Sequence, residues 1–402
     1  MRKAQWPDIQ LSEQVLLSCD KQHRGCSGGW PFLAFKWIKD NGITDNTCSP
    51  YQALGYRNGL DCSSQVECME CTQQGCSAKN KFQKYYVDEF GFLSGEQEMM
   101  EEITQNGPIV CSWSTPLSIY THKSGIYFDK TGRKSFDHEV EIIGFGVENG
   151  VKFWHIKNSW GTQYADDGFF KVVRGVNNIA IETNCSWALP LDTWSEGKEV
   201  IIDKSLDSHS EFLHKKDENY PLNNPDRIEK SYFIKGEKIL SERPGELLKS
   251  SELPLNFDWR NVFDFNYVSR TLSQNTPHYW DSSWAFAPSS ALADRFIIQH
   301  KRSETTIALN PQVLINCKAG GTCNGGNPGI VYEFAHTHGI PDSSCFNYEG
   351  VDYPNTCDPF NVCRDCLGAV RKIGESMLKN CRTIYDYDRY FVSEYGYVIS
   401  KW

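Results

Sequence analysis

The sequence predicts an α+β protein that contains two incomplete copies of one pattern. Residues 11–62 and 309–357 agree in residue type and in spacing, which indicates an internal duplication. Both copies have helical stretches, and residues 84–195 are rich in the β-branched and aromatic residues that are typical of strands. The 402 residues, of which 40% are hydrophobic, are enough to bury substantial cores.

The duplicated segments match motif by motif. The Leu-Ser-Glu-Gln run that begins at Leu11 corresponds to the Leu-Asn-Pro-Gln run that begins at Leu309, and both runs lead to a cysteine. A Cys-x-Gly-Gly loop follows in both copies, at Cys26 and at Cys323. Each loop precedes a helical stretch that ends in Gly-Ile, which is a typical helix stop.

The two copies are divided at different places. We predict that residues 1–195 form the C-terminal three-quarters of one domain, and that residues 251–402 form the N-terminal part of a second domain. Residues 196–250 are charged and polar and contain three prolines, which is typical of a linker or a pro-segment. Each copy is therefore expected to lack a different part of the domain.

Composition argues against several classes of function. The net charge is −10 and no basic stripe is present, which argues against binding to nucleic acid or to anionic membranes. No run of eighteen apolar residues exists, so no membrane span is predicted. No cysteine spacing typical of haem or of an iron–sulfur cluster occurs, and no cofactor is predicted.

The 16 cysteines lie in clusters at short spacings, which favours disulfides in an oxidising compartment. Two Cys-x-x-Cys pairs, at residues 68–71 and 363–366, have the spacing of zinc half-sites, but their flanking cysteines fit disulfides better, and no metal site is predicted. A lysosomal or extracellular location is therefore expected. Such a location requires a signal peptide, and residues 1–6 have no apolar segment of that kind. Either the natural start is not Met1 or the protein is cytosolic with free thiols, and we favour the first.

Residues 273–286 contain the candidate nucleophile. Gln274 precedes Ser283 by nine residues, and Trp284 follows at the start of a run of helix-forming residues. A helix that begins at Ser283 would place this side chain at the positive end of the helix dipole.

Candidate partners of this segment lie earlier in the chain. His138 and Asn158 are twenty residues apart, and Asn158 opens an Asn-Ser-Trp-Gly motif that includes Trp160. An imidazole that an amide orients, together with a nucleophile and an oxyanion donor, is a pattern for nucleophilic catalysis. Alternatively, Asn158 and Trp160 are packing residues of a strand.

These motifs resemble those of the papain family of cysteine peptidases, and within it the cathepsin X group, also called cathepsin Z. The resemblance rests on the Asp-Trp-Arg run at residues 258–260, three extra residues between Gln274 and Ser283, the cysteines after each Gly-Gly loop, and the Asp-His pair at residues 137–138. It implies a papain-like two-domain fold, in which a helical left domain and a strand-barrel right domain meet at a cleft. It also implies peptide hydrolysis of a carboxypeptidase-like kind.

The resemblance assigns a role to each candidate residue. Ser283 occupies the nucleophile position that holds Cys in the family, and Gln274 would donate to the oxyanion. His138 would be the base that Asn158 orients. The substrate-binding residues that the resemblance implies are Gly28, Gly29, Gly325, Gly326, Trp284 and Trp160.

The serine at position 283 changes the expected chemistry. A Ser hydroxyl stays protonated at neutral pH, whereas a Cys thiol, with a reference pKa of about 8.5, can become a thiolate beside a His at a helix N-terminus. No buried carboxylate of the serine-peptidase kind is expected behind His138. Two further departures from the family agree with lost catalysis: Trp280 replaces a half-cystine, and Asn275 replaces the His with which cathepsin X binds the carboxylate at the substrate's C-terminus.

The resemblance also implies seven disulfides. They are Cys19–Cys62, Cys48–Cys68, Cys71–Cys76, Cys111–Cys185, Cys317–Cys357, Cys345–Cys363 and Cys366–Cys381. Cys26 and Cys323 would stay unpaired. Each would bond the half-cystine near the nucleophile, which is Trp280 in the second copy and lies in the absent part of the first.

No copy contains Cys, His and Asn together, so we expect no peptidase activity from this chain. One hypothesis is a fragment of a longer tandem peptidase whose complete first copy is active. A second is a non-catalytic binding, scaffold or inhibitory protein, whose partner would be a peptide or protein in the cleft. A third is a permuted domain in which Ser283 faces His138, and a fourth is other Ser-His chemistry, as in the silicateins. The sequence does not specify an oligomeric state.

Overall fold

The computed structural model describes residues 9–191, 201–203, 239–241, 254, 257–263, 265–300, 307–353, 357–366 and 381–396. Most of the predicted linker, residues 196–250, lies outside these ranges. The division of the chain at residues 195 and 251 therefore stays a prediction.

The first copy begins with short helices that polar side chains cap. Helix α1 spans Glu13–Cys19, and its first turn is capped by Ser12, whose hydroxyl accepts from the Val15 backbone N–H. Helix α2 spans Pro31–Asn41 and ends at Gly42, whose φ of 69° suits glycine. The remaining α-helix and β-strands of this part are α3 (Ser64–Glu67), β1 (Met69–Thr72), β2 (Gly75–Ala78) and β3 (Lys81–Gln83).

A seven-stranded sheet follows, with one helix, α4 (Glu96–Gln105). Its strands are β4 (Val87–Leu93), β5 (Ile109–Trp113), β6 (Ile126–Tyr127), β7 (His138–Glu148), β8 (Val151–Lys157), β9 (Phe169–Val173) and β10 (Cys185–Pro190). The strand order is β4-β10-β5-β7-β8-β9-β6, and all neighbours are antiparallel except β6 and β9. Strand β11 (Ile201–Asp203) pairs with β3 outside this sheet.

Side chains of successive strand residues point to opposite faces of the sheet, and the hydrophobic core lies on one of these faces. Trp113, Trp154, Ile142 and Ile156 are fully buried there, at 0% exposure. Cys111 and Cys185 face each other in the register of β5 and β10, and their disulfide ties the two strands together. This core holds strand β7, which begins at His138, and strand β8, which Asn158 directly follows.

The second copy is dominated by a long helix. Helix α5 spans Ser283–His300, so the expected start at Ser283 is confirmed, and Pro288 is accommodated in its second turn. The other α-helices and β-strands described in this copy are α6 (Pro311–Asn316), β12 (Gly321–Thr322), β13 (Gly325–Gly326), α7 (Pro328–Thr337), β14 (Arg364–Cys366) and β15 (Cys381–Thr383).

The two copies share backbone pairings. The bridge between Leu11 and Asp45 has its counterpart between Leu309 and Asp342. The bridge from Ile43 to Tyr85 is matched by one from Ile340 to Tyr390. These pairings agree with the predicted two incomplete copies of a papain-like fold.

All seven expected disulfides are present, and Cys26 and Cys323 are free. Across the described ranges, no helix combines the length and the apolar character that a membrane span needs.

Candidate active site

Two neighbouring strands bring His138 and Asn158 together. His138 begins β7, and Asn158 directly follows β8, which pairs antiparallel with β7. His138 Nε2 lies 2.9 Å from Asn158 Oδ1, which also accepts from the Ser159 backbone N–H at 2.9 Å. Since Oδ1 is an acceptor, Nε2 carries the proton of the neutral ring and Nδ1 keeps a free lone pair. The pair has the geometry of a base that an amide orients.

Aromatic rings cover this imidazole. The Trp160 indole stacks on His138, with ring centroids 4.9 Å apart, and Tyr120 stacks on Trp160, with ring centroids 5.0 Å apart. The Trp113 ring is tilted relative to the imidazole, and the ring centroids of Trp113 and His138 are 6.0 Å apart. Asn158 Nδ2 is buried and has no hydrogen-bond partner within the described ranges. The rings therefore shield the imidazole from water.

Burial controls the ionisation of His138. Removal from water lowers the pKa of His138, although the hydrogen bond to Asn158 and the charge of Asp137 both act to raise it. The Asp137 carboxylate accepts from Thr115 Oγ1 and from Arg133 Nη2, both at 2.7 Å. Burial opposes ionisation of Asp137, but hydrogen bonds from Thr115 and other neighbours outweigh it and lower its pKa. Asp137 is thus engaged away from the imidazole, and His138 tends to be neutral at pH 7.

Glu139 is an unexpected titratable group beside the His. Its two carboxylate oxygens lie 2.8 and 2.9 Å from the Ser112 hydroxyl. Burial raises the pKa of Glu139 to about 7, while the hydrogen bond from Ser112 acts in the opposite direction. Its position directly after His138 was visible in the sequence, but its half-buried environment was not.

The nucleophile segment lies entirely within the second copy. Ser283 is exposed at the first residue of α5. Gln274 Nε2 is 3.5 Å from the Trp280 carbonyl oxygen, so this amide faces its own segment. The hydroxyl of the partly buried Tyr348 links the segment, 3.0 Å from both Ser282 Oγ and the Gln274 carbonyl oxygen. Nothing in the sequence motifs had marked Tyr348.

The glycine pairs occupy tight positions beside these segments. A Cβ on Gly326 would lie 2.6 Å from Trp284 Cδ2, and the Trp284 indole donates to the Thr322 carbonyl at 2.8 Å. A Cβ on Gly29 would lie 2.6 Å from His23 Cδ2. Gly28 and Gly325 have φ values of 108° and 118°, which favour glycine. Close packing and backbone conformation therefore explain these glycines, and their role in substrate binding stays a prediction.

Among the described residues, no hydrogen bond joins Ser283 or Gln274 to His138 or Asn158.

Burial raises the pKa of the free thiols of Cys26 and Cys323, to about 11 for Cys323, so neither is a thiolate at neutral pH.

The second copy nevertheless contacts the first beside the Asn-Ser-Trp-Gly motif. The Thr162 backbone N–H donates to Ser344 Oγ at 3.1 Å, and the Thr162 hydroxyl donates to the Asp342 carboxylate. A second contact joins the Thr276 hydroxyl to the Thr47 carbonyl at 3.5 Å. Sequence motifs gave no sign of these contacts, because they join segments that are far apart in the chain.

Comparisons with known proteins agree with this fold. The model of the papain family cysteine proteases matches residues 1–189 and 253–385. Cathepsin Z of Onchocerca volvulus is 35% identical over 199 residues, which are 47% of this chain and 63% of that protein. Cathepsin B-like cysteine proteinase 1 of Ostertagia ostertagi is 29% identical over 191 residues, covering 43% of this chain and 56% of that protein.

Solved structures of similar proteins include procathepsin L2 proteinase from the larval midgut of Tenebrio molitor. It is 28% identical, with a TM-score of 0.39, and the match covers 45% of this chain and 54% of that one. The chain spans less than two thirds of the length of these relatives. The family model, in contrast, matches most of the chain in two segments. The chain therefore belongs to the papain family of cysteine proteases, as a homologue similar to cathepsins Z and B.

Proposed function

We propose that this chain binds a peptide or an extended protein segment without hydrolysing it. The observation that carries the proposal is the serine at the nucleophile position: the Ser283 hydroxyl is exposed at the start of α5 and makes no hydrogen bond to His138 within the described residues. The family's chemistry needs a thiolate beside an imidazolium.

A hydroxyl cannot replace that thiolate here. The dipole of α5 favours an anion at its N-terminus by about 1 kcal/mol, which is far too little to ionise a Ser side chain at neutral pH. The buried His138 is biased toward its neutral form, since burial lowers its pKa. Asp137 is held by Thr115 and Arg133, so it does not orient the imidazole as the carboxylate of a serine peptidase does.

The surface around His138 suits an extended peptide. Tyr120 is 53% exposed and stacks on Trp160, so it offers an aromatic face to an apolar side chain of the ligand. The free Nδ1 lone pair of His138 can accept a hydrogen bond from a ligand amide. Binding without turnover needs only these groups.

A second candidate function is active peptide hydrolysis by a longer tandem protein of which this chain is a segment. The intact His138–Asn158 pair, with its distance of 2.9 Å, favours it, because a complete first copy would use this pair in catalysis. A transcript that encodes a Gln and a Cys-Gly-Ser-Cys-Trp motif ahead of Met1 would support this candidate. A stop codon in frame there would exclude it.

The proposed location is lysosomal or extracellular. Seven disulfides join 14 of the 16 cysteines, and such bonds persist in oxidising compartments. Localisation of a tagged full-length protein would test this point, and a cytosolic protein with reduced cysteines would contradict it.

The test of the main proposal separates binding from cleavage. A mixture of peptides is incubated with the oxidised 402-residue chain and with its His138→Ala variant, and products are identified by mass spectrometry. We expect equal, background levels of cleavage, together with retention of some intact peptides on the immobilised chain. Cleavage that disappears in His138→Ala would overturn the proposal, and so would a failure to retain any peptide.

A further inference from the structure

An imidazole lies directly against the Gly-Gly loop of the first copy. Gly29 is so close to the His23 ring that an added Cβ would lie 2.6 Å from Cδ2. His23 Nε2 is 3.0 Å from the carbonyl oxygen of Trp30, the residue that follows the two glycines. The same oxygen accepts from the Ala34 backbone N–H at 3.2 Å, in the first turn of α2. We call residues 28–30 the ledge, and His23 contacts it at two of its three residues.

The other ring nitrogen of His23 faces a buried carboxylate. His23 Nδ1 lies 2.7 Å from Asp20 Oδ2, and the Asp20 side chain is 0% exposed. Within the described ranges this Oδ2 has no hydrogen-bond partner, so its contact with the ring is an ion pair. A buried carboxylate oxygen is costly unless a cation lies beside it. The position of Asp20 therefore favours a positively charged ring.

The two partners together determine the charge of His23. A carbonyl oxygen only accepts hydrogen bonds, so Nε2 carries a proton. A bare Nδ1 would direct its lone pair at the carboxylate of Asp20, whereas a protonated Nδ1 makes the ring a cation that offsets this charge. The geometry is thus that of an imidazolium.

Other charges near His23 do not alter this assignment. The positive end of α2 acts against a cation, but the full charge of Asp20 at 2.7 Å outweighs the partial charge of a helix end. The Tyr56 hydroxyl donates to the His23 carbonyl at 2.6 Å, and Arg57 Nε donates to that hydroxyl at 2.8 Å. Tyr56 and Arg57 therefore act on the main chain of His23.

The second copy holds its equivalent loop by other means. No histidine occurs between Cys317 and Cys323. There β12 pairs with β13, and the Asn327 side chain caps α7 by accepting from the Gly329 backbone N–H at 2.8 Å. Trp30, at the same place before α2, makes no side-chain cap hydrogen bond. The contact with the imidazole is therefore a feature of the first copy alone among the described residues.

We propose that His23 is a positioning residue for the ledge and that its charge makes peptide binding depend on pH. The imidazolium has a proton for each of its two partners and fixes the ledge. A neutral ring has one proton for two acceptors, so it gives up either the Trp30 carbonyl or the Asp20 carboxylate. Imidazole is the side chain that ordinarily changes its charge between about pH 5 and 8. The ledge is thus held in acid and released as the pH rises. The link to binding rests on the proposed function, whereas the role of His23 in the ledge does not.

Hydrogen exchange of the full oxidised chain tests the role of His23. Protection of residues 24–34, corrected for the intrinsic pH dependence of exchange, is measured at about pH 5 and pH 8. We expect about tenfold lower protection at pH 8, the effect of losing one hydrogen bond to a charged group. Residues 325–337 of the second copy are the internal reference and should not change.

Three variants separate the ring from its surroundings. His23→Gln should show the same low protection at both pH values. His122→Gln removes another imidazole that meets a carbonyl, that of Gly125 at 3.2 Å, and should keep the wild-type difference. Asp20→Asn keeps the shape of the side chain but removes its charge, so the loss of protection should move to lower pH.

Retention of the peptide mixture on the immobilised chain, measured at the same two pH values, tests the link to binding. We expect several-fold stronger retention at pH 5 in the wild type and no such difference in His23→Gln. Equal protection of the wild type at both pH values, a difference that survives His23→Gln, or an unshifted loss in Asp20→Asn would overturn the role of His23. Retention that is the same at both pH values would overturn the link to binding. No retention at either pH, with a ledge that still responds, would overturn the proposed function and leave the role of His23 established.

Discussion

Burial of Glu139 makes the stability of the folded chain depend on pH. Its pKa is raised by burial from 4.5 to about 7, whereas the unfolded chain keeps the ordinary value. Between these two values the folded state binds more protons than the unfolded state, so the free energy of unfolding falls as pH rises. The contribution of Glu139 is therefore most favourable below about pH 4.5 and is lost as pH rises through 7.

Glu139→Gln removes this penalty and keeps a polar group for Ser112. The difference between the two pKa values corresponds to about 3.4 kcal/mol, at 1.36 kcal/mol per pKa unit. Because the carboxyl is only partly buried, solvent screening reduces the expected gain to about 1 to 2 kcal/mol. We expect Glu139→Gln to raise the free energy of unfolding by this amount at pH 8.5, and to leave it nearly unchanged at pH 4.5.

The assay is urea denaturation with intact disulfides, followed by tryptophan fluorescence at both pH values. Glu141→Gln is the matched control, because Glu141 lies on the same strand and pairs with Lys157 at 3.1 Å. This control should not become more stable at pH 8.5. An equal effect of Glu139→Gln at both pH values, or a loss of stability at pH 8.5, would refute the reasoning about burial.

Two further predictions concern the surroundings of the His. Trp160→Ala should raise the pKa of His138, measured by NMR titration, because burial is the main cause of its lowering and the indole covers the ring; a pKa that stays the same or falls would contradict this. Asp342→Ala should increase hydrogen exchange in residues 158–163 roughly tenfold, because it removes a charge-assisted hydrogen bond from Thr162 worth about 1.5 kcal/mol. Asp45→Ala, at the equivalent place in the first copy, is the control and should leave the exchange of residues 158–163 unchanged. An equal effect of both variants would show that the contact between the copies does not stabilise residues 158–163.

Local motifs predicted more of the site than of its surroundings. The start of α5 at Ser283 and the pairing of His138 with Asn158 could be predicted from motifs with a defined spacing, and the resemblance to the papain family implied all seven disulfides. The roles of these residues and the domain boundaries stay predictions.

The rest depends on packing between distant segments. The contacts of Thr162 with Asp342 and Ser344, and the hydrogen bond of Tyr348 to the Gln274 carbonyl, join residues that no motif relates. Environment also decides the pKa of Glu139, which sequence position alone cannot give.

Peptide hydrolysis by the chain, by Ser283→Cys and by His138→Ala tests the central claim most directly. Product release from a fluorogenic peptide is measured for all three under the same conditions. We predict identical background rates, because the wild-type residue is a hydroxyl and because no hydrogen bond joins position 283 to His138 within the described residues. A wild-type rate that His138→Ala abolishes would contradict the claim of an inactive chain. A rate gained only in Ser283→Cys would show that the two copies assemble one composite site.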